Sequence, residues 1–470
     1  MSDAPTDTPE IPRSAWWTLA LSSVSIFMVS LEITIISLAF GEIADAFPGA
    51  SRSTLSWIFT AYNIGVASLL LPAGWLADRY GRKRVFQIGL IVFGVASLGT
   101  GLAGSVPLLL AFRTVQSVGG ALLYPAALAL LLPAFPIERR QMAIGIWGAM
   151  GGLAAAVGPT VGALLVDGFG WRSVFLINVP VALLAWIAGR THLQESRAEG
   201  MASGVDFIGV PLASIGVGAI IFGIVEGGEG EGFGTTPLAA IALGVVLIVA
   251  FVFRTRRHPA PLFDLGLLSL RSYWVGLLGA TFFVMAFFGW LTQLPVFVQE
   301  TWGWSVLATG FAIAPGPALS AILSPITGRL ADTHGNRPVL LVGALAGLAG
   351  TLWLILFMDT EPNYLFSMLP AMLLIGVSAG CSFAMLVGAT MRDVPPHRFG
   401  MGGAGRTTGF QLATALGIAL AVAFVGEAAP GDDYLSAIRA SWWSQAVLYA
   451  LMFGTFLVLF QGRSGASTSS

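Results

Sequence analysis

The segment Gly74-Trp-Leu-Ala-Asp-Arg-Tyr-Gly-Arg-Lys-Arg84 recurs in altered form as Gly328-Arg-Leu-Ala-Asp-Thr-His-Gly-Asn-Arg-Pro338. Each copy follows one long apolar run and precedes another, so each occupies the same place in a larger unit. Both copies keep Leu-Ala-Asp and then a glycine that permits a tight bend between two helices. A repeat of this kind predicts that the chain consists of two halves with the same architecture.

The apolar runs around these two segments have the length of membrane-spanning helices. About 20 apolar residues cross a bilayer as one helix. The chain has 56% hydrophobic and only 10% charged residues, with a mean hydropathy of +0.83, which excludes a soluble globular protein. We place fourteen spans near 16–40, 54–76, 85–104, 106–132, 142–166, 172–190, 206–225, 237–253, 272–298, 306–328, 338–357, 364–390, 402–426 and 440–461.

Basic residues outside these spans are distributed unevenly. With the N-terminus placed in the cytoplasm, nearly all Arg and Lys residues of the loops and tails fall on the cytoplasmic side, and the exceptions are Arg52, Arg172 and Arg439. Positively charged loops remain inside during insertion. The even number of spans and the charge distribution therefore predict the same topology, with both termini cytoplasmic.

This topology divides the chain into five regions. They are a cytoplasmic tail at 1–13, a six-helix half at 14–190, a connector with two extra transmembrane helices at 191–271, a second six-helix half at 272–461, and a tail at 462–470. The predicted fold class is an all-α polytopic membrane protein. Parallel halves of this kind are a transporter architecture, with the substrate site at their interface.

Four motifs resemble those of the major facilitator superfamily and, within it, of the fourteen-span drug:proton antiporters. They are the turn Gly74 to Arg84, the fourth-helix segment Leu109 to Ala121, the fifth-helix segment Gly152 to Gly162 and the first-helix segment Ser30 to Ile36. The resemblance implies an exporter that works by alternating access, with the proton gradient as its energy source and no bound cofactor. The chain departs from the subfamily pattern at Glu32, Ser117 and Arg406, where Asp, Gly and an uncharged polar residue are usual.

Three ionisable side chains fall inside the predicted spans: Glu32, Arg113 and Arg406. Each needs a reason, because a charge in the hydrocarbon costs about 2.5–3.5 kcal/mol on insertion. Glu32 and Arg113 lie on antiparallel helices, both roughly 10–12 Å below the outer surface. We interpret Glu32 as the proton-carrying carboxylate and Arg113 as its partner, with a permanent structural ion pair as the alternative. Arg406 lies near its helix end and has the alternative of snorkelling to the cytoplasmic surface.

Further residues are assigned to the substrate cavity and to gating. The cavity assignment takes polar and aromatic side chains of several spans: Trp57, Asn63, Gln116, Tyr124, Trp290 and Gln293. The gating assignment takes residues of the two turns and the fifth helix: Gly74, Asp78, Arg79, Gly81, Arg82, Gly158, Pro159, Gly162, Asp332 and Arg337.

These gating residues have specific expected roles. Asp78 is expected at the N-terminal end of the third helix, where the helix dipole favours a carboxylate, in a latch that Asp332 and Arg337 repeat more weakly. Pro159 is expected to bend the fifth helix, and Pro315, Gly316, Pro317 and Pro325 are expected to break the tenth span. The alternatives are that the basic residues only anchor the topology and that the glycines only permit close packing.

The remaining chemistry excludes several classes of protein. Cys381 is the single cysteine and all four histidines fall in loops, so neither a metal site nor an enzyme is expected. We expect a monomeric transporter in the cytoplasmic (inner) membrane of a bacterium, whose partners are the lipid bilayer, a small-molecule substrate and protons, with no nucleic acid. It exports small lipophilic or singly cationic compounds in exchange for protons. The alternative cargo is a lipid, a siderophore or an endogenous secondary metabolite, because the motifs encode coupling and not cargo.

Overall fold

The computed structural model describes residues 11–50, 52–197, 206–229, 234–259, 261–425 and 432–460. Regular structure in these residues is helical throughout. The first half contains α1 (Arg13–Ala46), α2 (Arg52–Tyr80), α3 (Arg82–Gly101), α4 (Val106–Ala134), α5 (Arg140–Phe169), α6 (Ser173–Leu176) and α7 (Asn178–His192). Only Ile177 separates α6 from α7, so one predicted span is made of two helical pieces.

The inserted pair consists of α8 (Gly209–Glu229) and α9 (Thr235–Thr255). Asp206 Oδ1 and Arg254 Nε lie 2.6 Å apart and tie the start of α8 to the end of α9. Helix α9 leaves most of its apolar residues uncovered, as expected for a helix that faces lipid.

The second half contains α10 (Arg271–Glu300), α11 (Val306–Ile313), α12 (Pro315–His334), α13 (Asn336–Phe357), α14 (Leu369–Met391), α15 (Phe399–Val425) and α16 (Asp432–Gly454). A π-helical turn, Tyr364–Met368, precedes α14, and another, Thr455–Leu459, follows α16. Helices α11 and α12 correspond to one predicted span. The predicted break at Pro315 is confirmed, because α12 begins at this residue, which has no N–H to continue the preceding helix.

The predicted spans all fall on helices. Thirteen helical stretches among the described residues are long and apolar enough to cross a membrane. The remaining predicted span, 142–166, lies within α5, several of whose side chains are outside the described part. The predicted all-α membrane fold is therefore confirmed.

The two copies of the repeated segment form the same turn. Gly81 follows α2 with a φ of 115°, and Gly335 follows α12 with a φ of 80°. Residues with a Cβ rarely adopt this part of backbone space, so both turns depend on glycine. We call the end of the bundle that holds these two turns the latch end. Here α2 and α4 of the first half pack on α15, and α12 and α14 of the second half pack on α5.

The inserted pair covers one of these contacts between the halves. Helix α8 packs against both α2 and α15, one helix from each half. The three helices share a buried apolar cluster whose members are Ala67, Val217, Ile221, Ile224 and Ala415. The α2–α15 contact is therefore flanked by α8, whereas α12 packs directly along α5.

Candidate transport site

An ion pair is buried inside the first half. Arg113 Nη1 of α4 lies 2.6 Å from Glu32 Oε1 of α1, and each side chain is only 1% exposed. Helices α1 and α4 pack together in antiparallel directions, which brings residues at the same depth into contact. The structure thus joins the two charges that the sequence places at one depth and shields both from solvent.

Neutral polar groups complete a network around this pair. Asn178 Nδ2 donates to the other carboxylate oxygen, Glu32 Oε2, at 2.7 Å. Arg113 Nη1 also donates to Gln116 Oε1 at 2.7 Å, and Arg113 Nε donates to the carbonyl oxygen of Ile58 at 3.0 Å. Gln116 Nε2 in turn donates to Ser97 Oγ at 2.8 Å. Each charge has partners besides the other, which offsets part of the cost of burying the pair.

Two aromatic rings lie against the same guanidinium. The centre of the Tyr62 ring is 4.3 Å from Arg113 Cζ, and that of the Phe175 ring is 5.6 Å away. Both distances fall within the range of cation–π attraction. Through its hydrogen bonds and ring contacts Arg113 touches α1, α2, α4 and α6, so one side chain joins four helices of the first half.

The sequence analysis misses Asn178, and Gln116 takes part in the ion-pair network. Asn178 begins α7 at the junction with α6, and the only signal it offers is an amide within an apolar run. The prediction that Gln116 lines the substrate cavity stays a prediction. Its side chain is fully buried, because Arg113 and Ser97 occupy the two ends of its amide.

The carboxylate of Asp78 joins the two halves at the latch end. It accepts the backbone N–H of Gly400 at 3.0 Å and of Met401 at 2.8 Å, at the start of α15. Arg82 supports it with Nη2 at 2.9 Å, and the same nitrogen donates to the Pro396 carbonyl oxygen at 2.6 Å. The carboxylate thus satisfies two N–H groups that a helix start leaves unpaired.

The prediction that Asp78 caps the third helix is wrong. No proline or glycine lies between Asp78 and Gly81, so α2 continues to Tyr80 and carries Asp78 in its last turn. The start of α3 is covered instead by Glu195, whose carboxylate accepts the N–H of Lys83 at 3.0 Å and of Arg84 at 3.1 Å.

Asp332 makes the reciprocal contact. Its carboxylate accepts the N–H of Gln141 at 3.0 Å and of Met142 at 3.1 Å, at the start of α5. Each half therefore holds the helix of the other half through the same pair of backbone bonds. Arg337 was predicted to take part in this second latch, but it does not. It donates instead to the carbonyl oxygens of Phe456 and Leu457 within its own half.

Glycines allow these helices to approach closely. A Cβ on Gly74 would lie 2.5 Å from the Gly400 carbonyl oxygen, and a Cβ on Gly328 would lie 2.7 Å from the Gln141 carbonyl oxygen. Arg79, beside the first turn, lies over the Trp75 ring at 5.9 Å. Gly158 and Gly162 are buried in α5, and the side chain of Pro159 is outside the described part. The bend expected at Pro159 stays a prediction.

The other cavity residues do not gather around the ion pair. Trp57 is 38% exposed and stacks on Phe222 of α8 with the ring centres 5.8 Å apart. Trp290 is buried in the second half, where Gln293 Nε2 donates to the Ala421 carbonyl oxygen at 2.6 Å. Asn63 is half-buried on α2. Their roles in cargo binding stay predictions.

Tyr124 links two regions that the sequence analysis treats separately. It is in hydrogen-bonding contact with Ser30 of α1, two residues before Glu32, and in electrostatic contact with Arg406 of α15. The alternative that Arg406 snorkels to the surface is wrong. Helix α15 begins at Phe399, so Arg406 lies two turns inside it and is only 8% exposed.

The site contains a buried carboxyl group, Glu32, paired with an arginine, and two carboxylates, Asp78 and Asp332, that join the halves. Within the described ranges, no group of three or more His, Cys, Asp or Glu side chains could hold a metal ion.

Comparison with known proteins identifies relatives along most of the chain. The family model described as Major Facilitator Superfamily matches residues 19–418 and 316–469. Puromycin resistance protein pur8 of Streptomyces alboniger is 35% identical over 86% of this chain and 80% of its own. Multidrug resistance protein Stp of Mycobacterium tuberculosis is 32% identical over 83% of this chain and 72% of its own. The riboflavin transporter RibZ of Clostridioides difficile is 26% identical over 95% of this chain and 98% of its own.

A solved structure shows the same fold. The proton:xylose symporter XylE has a TM-score of 0.68 to this chain at 15% identity, and the match covers 96% of this chain and 97% of that one. At this level of identity the likeness concerns the path of the backbone alone.

Proposed function

The chain belongs to the major facilitator superfamily, and from that premise we propose that it exports small lipophilic or singly cationic compounds in exchange for protons. Proteins of this family transport small molecules rather than catalyse reactions on them. Resistance to a drug or an antibiotic, which gives two of the relatives their names, supports export as the direction.

The observation that carries proton coupling is the Glu32–Arg113 pair. Intramembrane acids usually mark proton or ion pathways, and Glu32 lies buried near the middle of α1. When Glu32 takes up a proton, Arg113 keeps Gln116 and the Ile58 carbonyl oxygen as acceptors. The pair can therefore separate without leaving the guanidinium unsatisfied.

Alternating access follows if the proton and the cargo favour opposite states. The latch end is closed in this structure by the contacts of Asp78 and Asp332 with α15 and α5. A ligand shifts such an equilibrium only by its differential affinity for the two states. Competition between a proton at Glu32 and cargo bound between the halves supplies that difference.

Charge in the site ranks the two classes of cargo. Glu32 is occupied by Arg113 and Asn178, and the described residues of the second half contain no buried acid. A strongly cationic compound therefore has no unpaired carboxylate to bind, and burying it would be costly. We therefore expect neutral lipophilic compounds to be the preferred cargo and singly cationic compounds to be the less favoured one.

We place the protein in the cytoplasmic (inner) membrane of a bacterium, with the latch end and both termini inside and the monomer as the working unit. The support is the concentration of Arg and Lys in the loops of that end.

A second candidate is transport of an endogenous metabolite or a nutrient. The riboflavin transporter RibZ, which matches nearly end to end, favours this reading. Growth rescue of a transporter-deficient bacterium by this protein, against a panel of antibiotics, dyes and lipids, separates it from drug export.

The Glu32→Gln variant tests proton coupling. Purified protein in liposomes releases protons when cargo is added, and we expect this release to fall to the level of protein-free liposomes in the variant, because an amide cannot exchange a proton. The measurement is the signal of a pH-sensitive dye on addition of a transported compound.

The matched control is Asp206→Asn. Asp206 is as buried as Glu32 and its ion pair with Arg254 has the same length of 2.6 Å, but it lies in the inserted pair. We expect this variant to keep proton release. Undiminished release in Glu32→Gln would remove Glu32 from the coupling mechanism.

A further inference from the structure

Arg406 is a buried charge that has no ion-pair partner among the described residues. The other acid and arginine side chains that are buried in the described residues all belong to ion pairs: Glu32 with Arg113, Asp78 with Arg82, and Asp206 with Arg254. Within the same residues, Arg406 has no ion pair and its Nε has no hydrogen-bond partner. Its Nη2 reaches only the neighbouring Thr407 Oγ1, at 3.5 Å.

A guanidinium has five N–H donors and keeps its charge in proteins. Burying it without an acceptor is unfavourable, and in membranes such a residue is retained where it serves transport. One bond at the limit of hydrogen-bonding distance does not satisfy it. The Nε group therefore has room for an acceptor from outside the described residues, such as an oxygen of a bound ligand.

The surroundings of Arg406 form a polar lining between the halves. Tyr124 of α4 and Tyr273 of α10 are in electrostatic contact with the guanidinium, one from each half. The Oγ1 atom of Thr408 is buried and has no hydrogen-bond partner among the described residues. Tyr273 is held in place, since its hydroxyl donates to the Gly402 carbonyl oxygen at 2.9 Å. A ligand oxygen at Arg406 would meet hydroxyl groups as well as the charge.

This position belongs to the moving interface. Helix α15 packs on α2 and α4 of the first half and on α10 and α16 of the second. Tyr124 connects it to Ser30, two residues from the proposed proton site. The affinity for a group bound at Arg406 can therefore depend both on the movement of the halves and on the protonation of Glu32.

We propose that Arg406 binds an electronegative oxygen of the cargo, a carboxylate or phenolate on an otherwise lipophilic molecule. This inference rests on the proposed export function and revises its cargo class: the lipophilic compound carries an acidic oxygen, and a singly cationic compound qualifies only when it carries one as well. Among the described residues Glu32 is held by Arg113 and no acid pairs with Arg406, so their buried charges leave one positive charge uncompensated at the seam between the halves. An acidic oxygen neutralises that charge, whereas a purely cationic compound adds to it.

The test compares a lipophilic xanthene dye that has a free carboxylate with the methyl ester of the same dye. The two share ring system, size and cationic centre and differ in the acidic oxygen. Binding to the full-length protein in lipid nanodiscs is measured by fluorescence anisotropy, for the wild type and for Arg406→Met and Arg406→Lys. No proton gradient is applied, so the result does not depend on coupling.

We expect the wild type to bind the carboxylate dye more tightly than the ester. In Arg406→Met the affinity for the carboxylate dye should fall about tenfold to a hundredfold, to the level of the ester, as expected for losing a hydrogen bond to a charged group. Ester binding should change less than about threefold, and Arg406→Lys should retain part of the preference. Size-exclusion and thermal unfolding of both variants verify that they are folded.

Several results would overturn the proposal. For the wild type, these results are equal binding of both dyes or no binding of the carboxylate dye. For Arg406→Met, they are an unchanged preference for the carboxylate dye or an equal loss of affinity for both dyes. The binding assay uses gluconate as the buffer anion. If the preference for the carboxylate dye disappears when chloride replaces gluconate, Arg406 binds an inorganic anion instead. Proton-driven efflux of the ester, measured separately in liposomes, reports on the export function, which stands or fails independently of this binding test.

Discussion

The guanidinium of Arg113 serves three acceptors at once: a carboxylate oxygen of Glu32, the amide oxygen of Gln116 and the carbonyl oxygen of Ile58. Nη1 donates to the first two and Nε to the third, so the contact uses two separate nitrogens of the guanidinium, which a lysine with its single ammonium does not have. At this site the geometry of the cation therefore matters as much as its charge.

This geometry predicts that Arg113→Lys loses most transport although the charge is kept. A lysine can reach Glu32 or the Ile58 carbonyl oxygen, but it cannot bind both of these and Gln116 at the same time, so the network loses its alignment. Hydrogen bonds to charged groups contribute about 1.5–3 kcal/mol each, and we expect at least a tenfold loss of cargo-driven proton flux in liposomes. The control is Arg271→Lys, because Arg271 donates to the Leu459 carbonyl oxygen at an exposed position. Wild-type flux in Arg113→Lys would contradict this role of the fork.

How far single residues could be predicted depended on whether they carry a charge. Glu32 and Arg113 stand out in apolar runs, and the opposite directions of their helices suffice to pair them. Asn178 does not stand out, since it is neutral and its partner lies 146 residues away in the sequence. The same limit applies to Asp78, whose partners in α15 are 322 and 323 residues distant.

At the scale of helices, the approach of α2 to α15 depends on the absence of one side chain. Gly74 faces the Gly400 carbonyl oxygen and the Ala404 Cβ, and a Cβ at position 74 would lie 2.5 Å from each. Neither is the end of a flexible side chain, so the helices themselves would have to move apart.

We therefore predict that Gly74→Ala impairs closure of the latch end. Overpacking costs about 1–3 kcal/mol, a shift of about 5- to 150-fold in an equilibrium between two states, and cargo efflux from cells should fall accordingly. The matched control is Gly409→Ala on α15 itself, where the new Cβ would lie 3.6 Å from Leu277 Cδ2, an ordinary contact. Equal efflux by the two variants would show that this contact does not govern closure.

The helices were predictable because a membrane crossing needs a long apolar run, and such runs are visible in the sequence. Their ends were less predictable. Helix α2 continues through Asp78 to Tyr80, past the predicted end of its span, because polar residues are tolerated once a helix emerges from the hydrocarbon. The start of α12 was predictable from Pro315, whereas Pro325 lies inside the same helix without ending it, since neighbouring packing decides whether a proline interrupts.

On the scale of the whole molecule, the two halves share a backbone plan but not a charge plan. The first half buries the ion pair of Glu32 and Arg113. Among its described residues the second half buries no acid; its buried charge is Arg406, and the Tyr449 hydroxyl lies beside Ser378 and Trp290. The repeat predicts the shared plan, but the chemistry of each interior is set residue by residue. We infer that the first half senses the proton and the second half does not.

Movement of the halves is tested by cross-linking them. In a Cys381→Ser background, which removes the single native cysteine, we pair Gly148→Cys on α5 with Ala384→Cys on α14, whose Cβ atoms would be 3.0 Å apart. A disulfide needs about 3.8 Å between its Cβ atoms, so a small shift suffices. We expect oxidation to abolish efflux and a reductant to restore it.

The control for this cross-link lies within one half. Gly94→Cys on α3 and Ala182→Cys on α7 have the same Cβ separation of 3.0 Å. If the halves move as rigid bodies, this disulfide leaves efflux unchanged. If both cross-links abolish efflux, or if neither of them does, the result argues against rigid-body alternation about the latch end.

The position of α8 across α2 and α15 has a consequence for how cargo arrives. Lipophilic compounds dissolve in the bilayer before they meet a transporter, so they can enter the protein laterally, between helices that face the lipid. On the flank of α2 and α15 the lipid meets α8 and α9 first. We expect compounds that come from the bilayer to enter along the opposite flank, where α5 and α12 pack directly on each other. The extra pair of helices would thereby turn a carrier with two lateral entrances into one that is loaded from a single side.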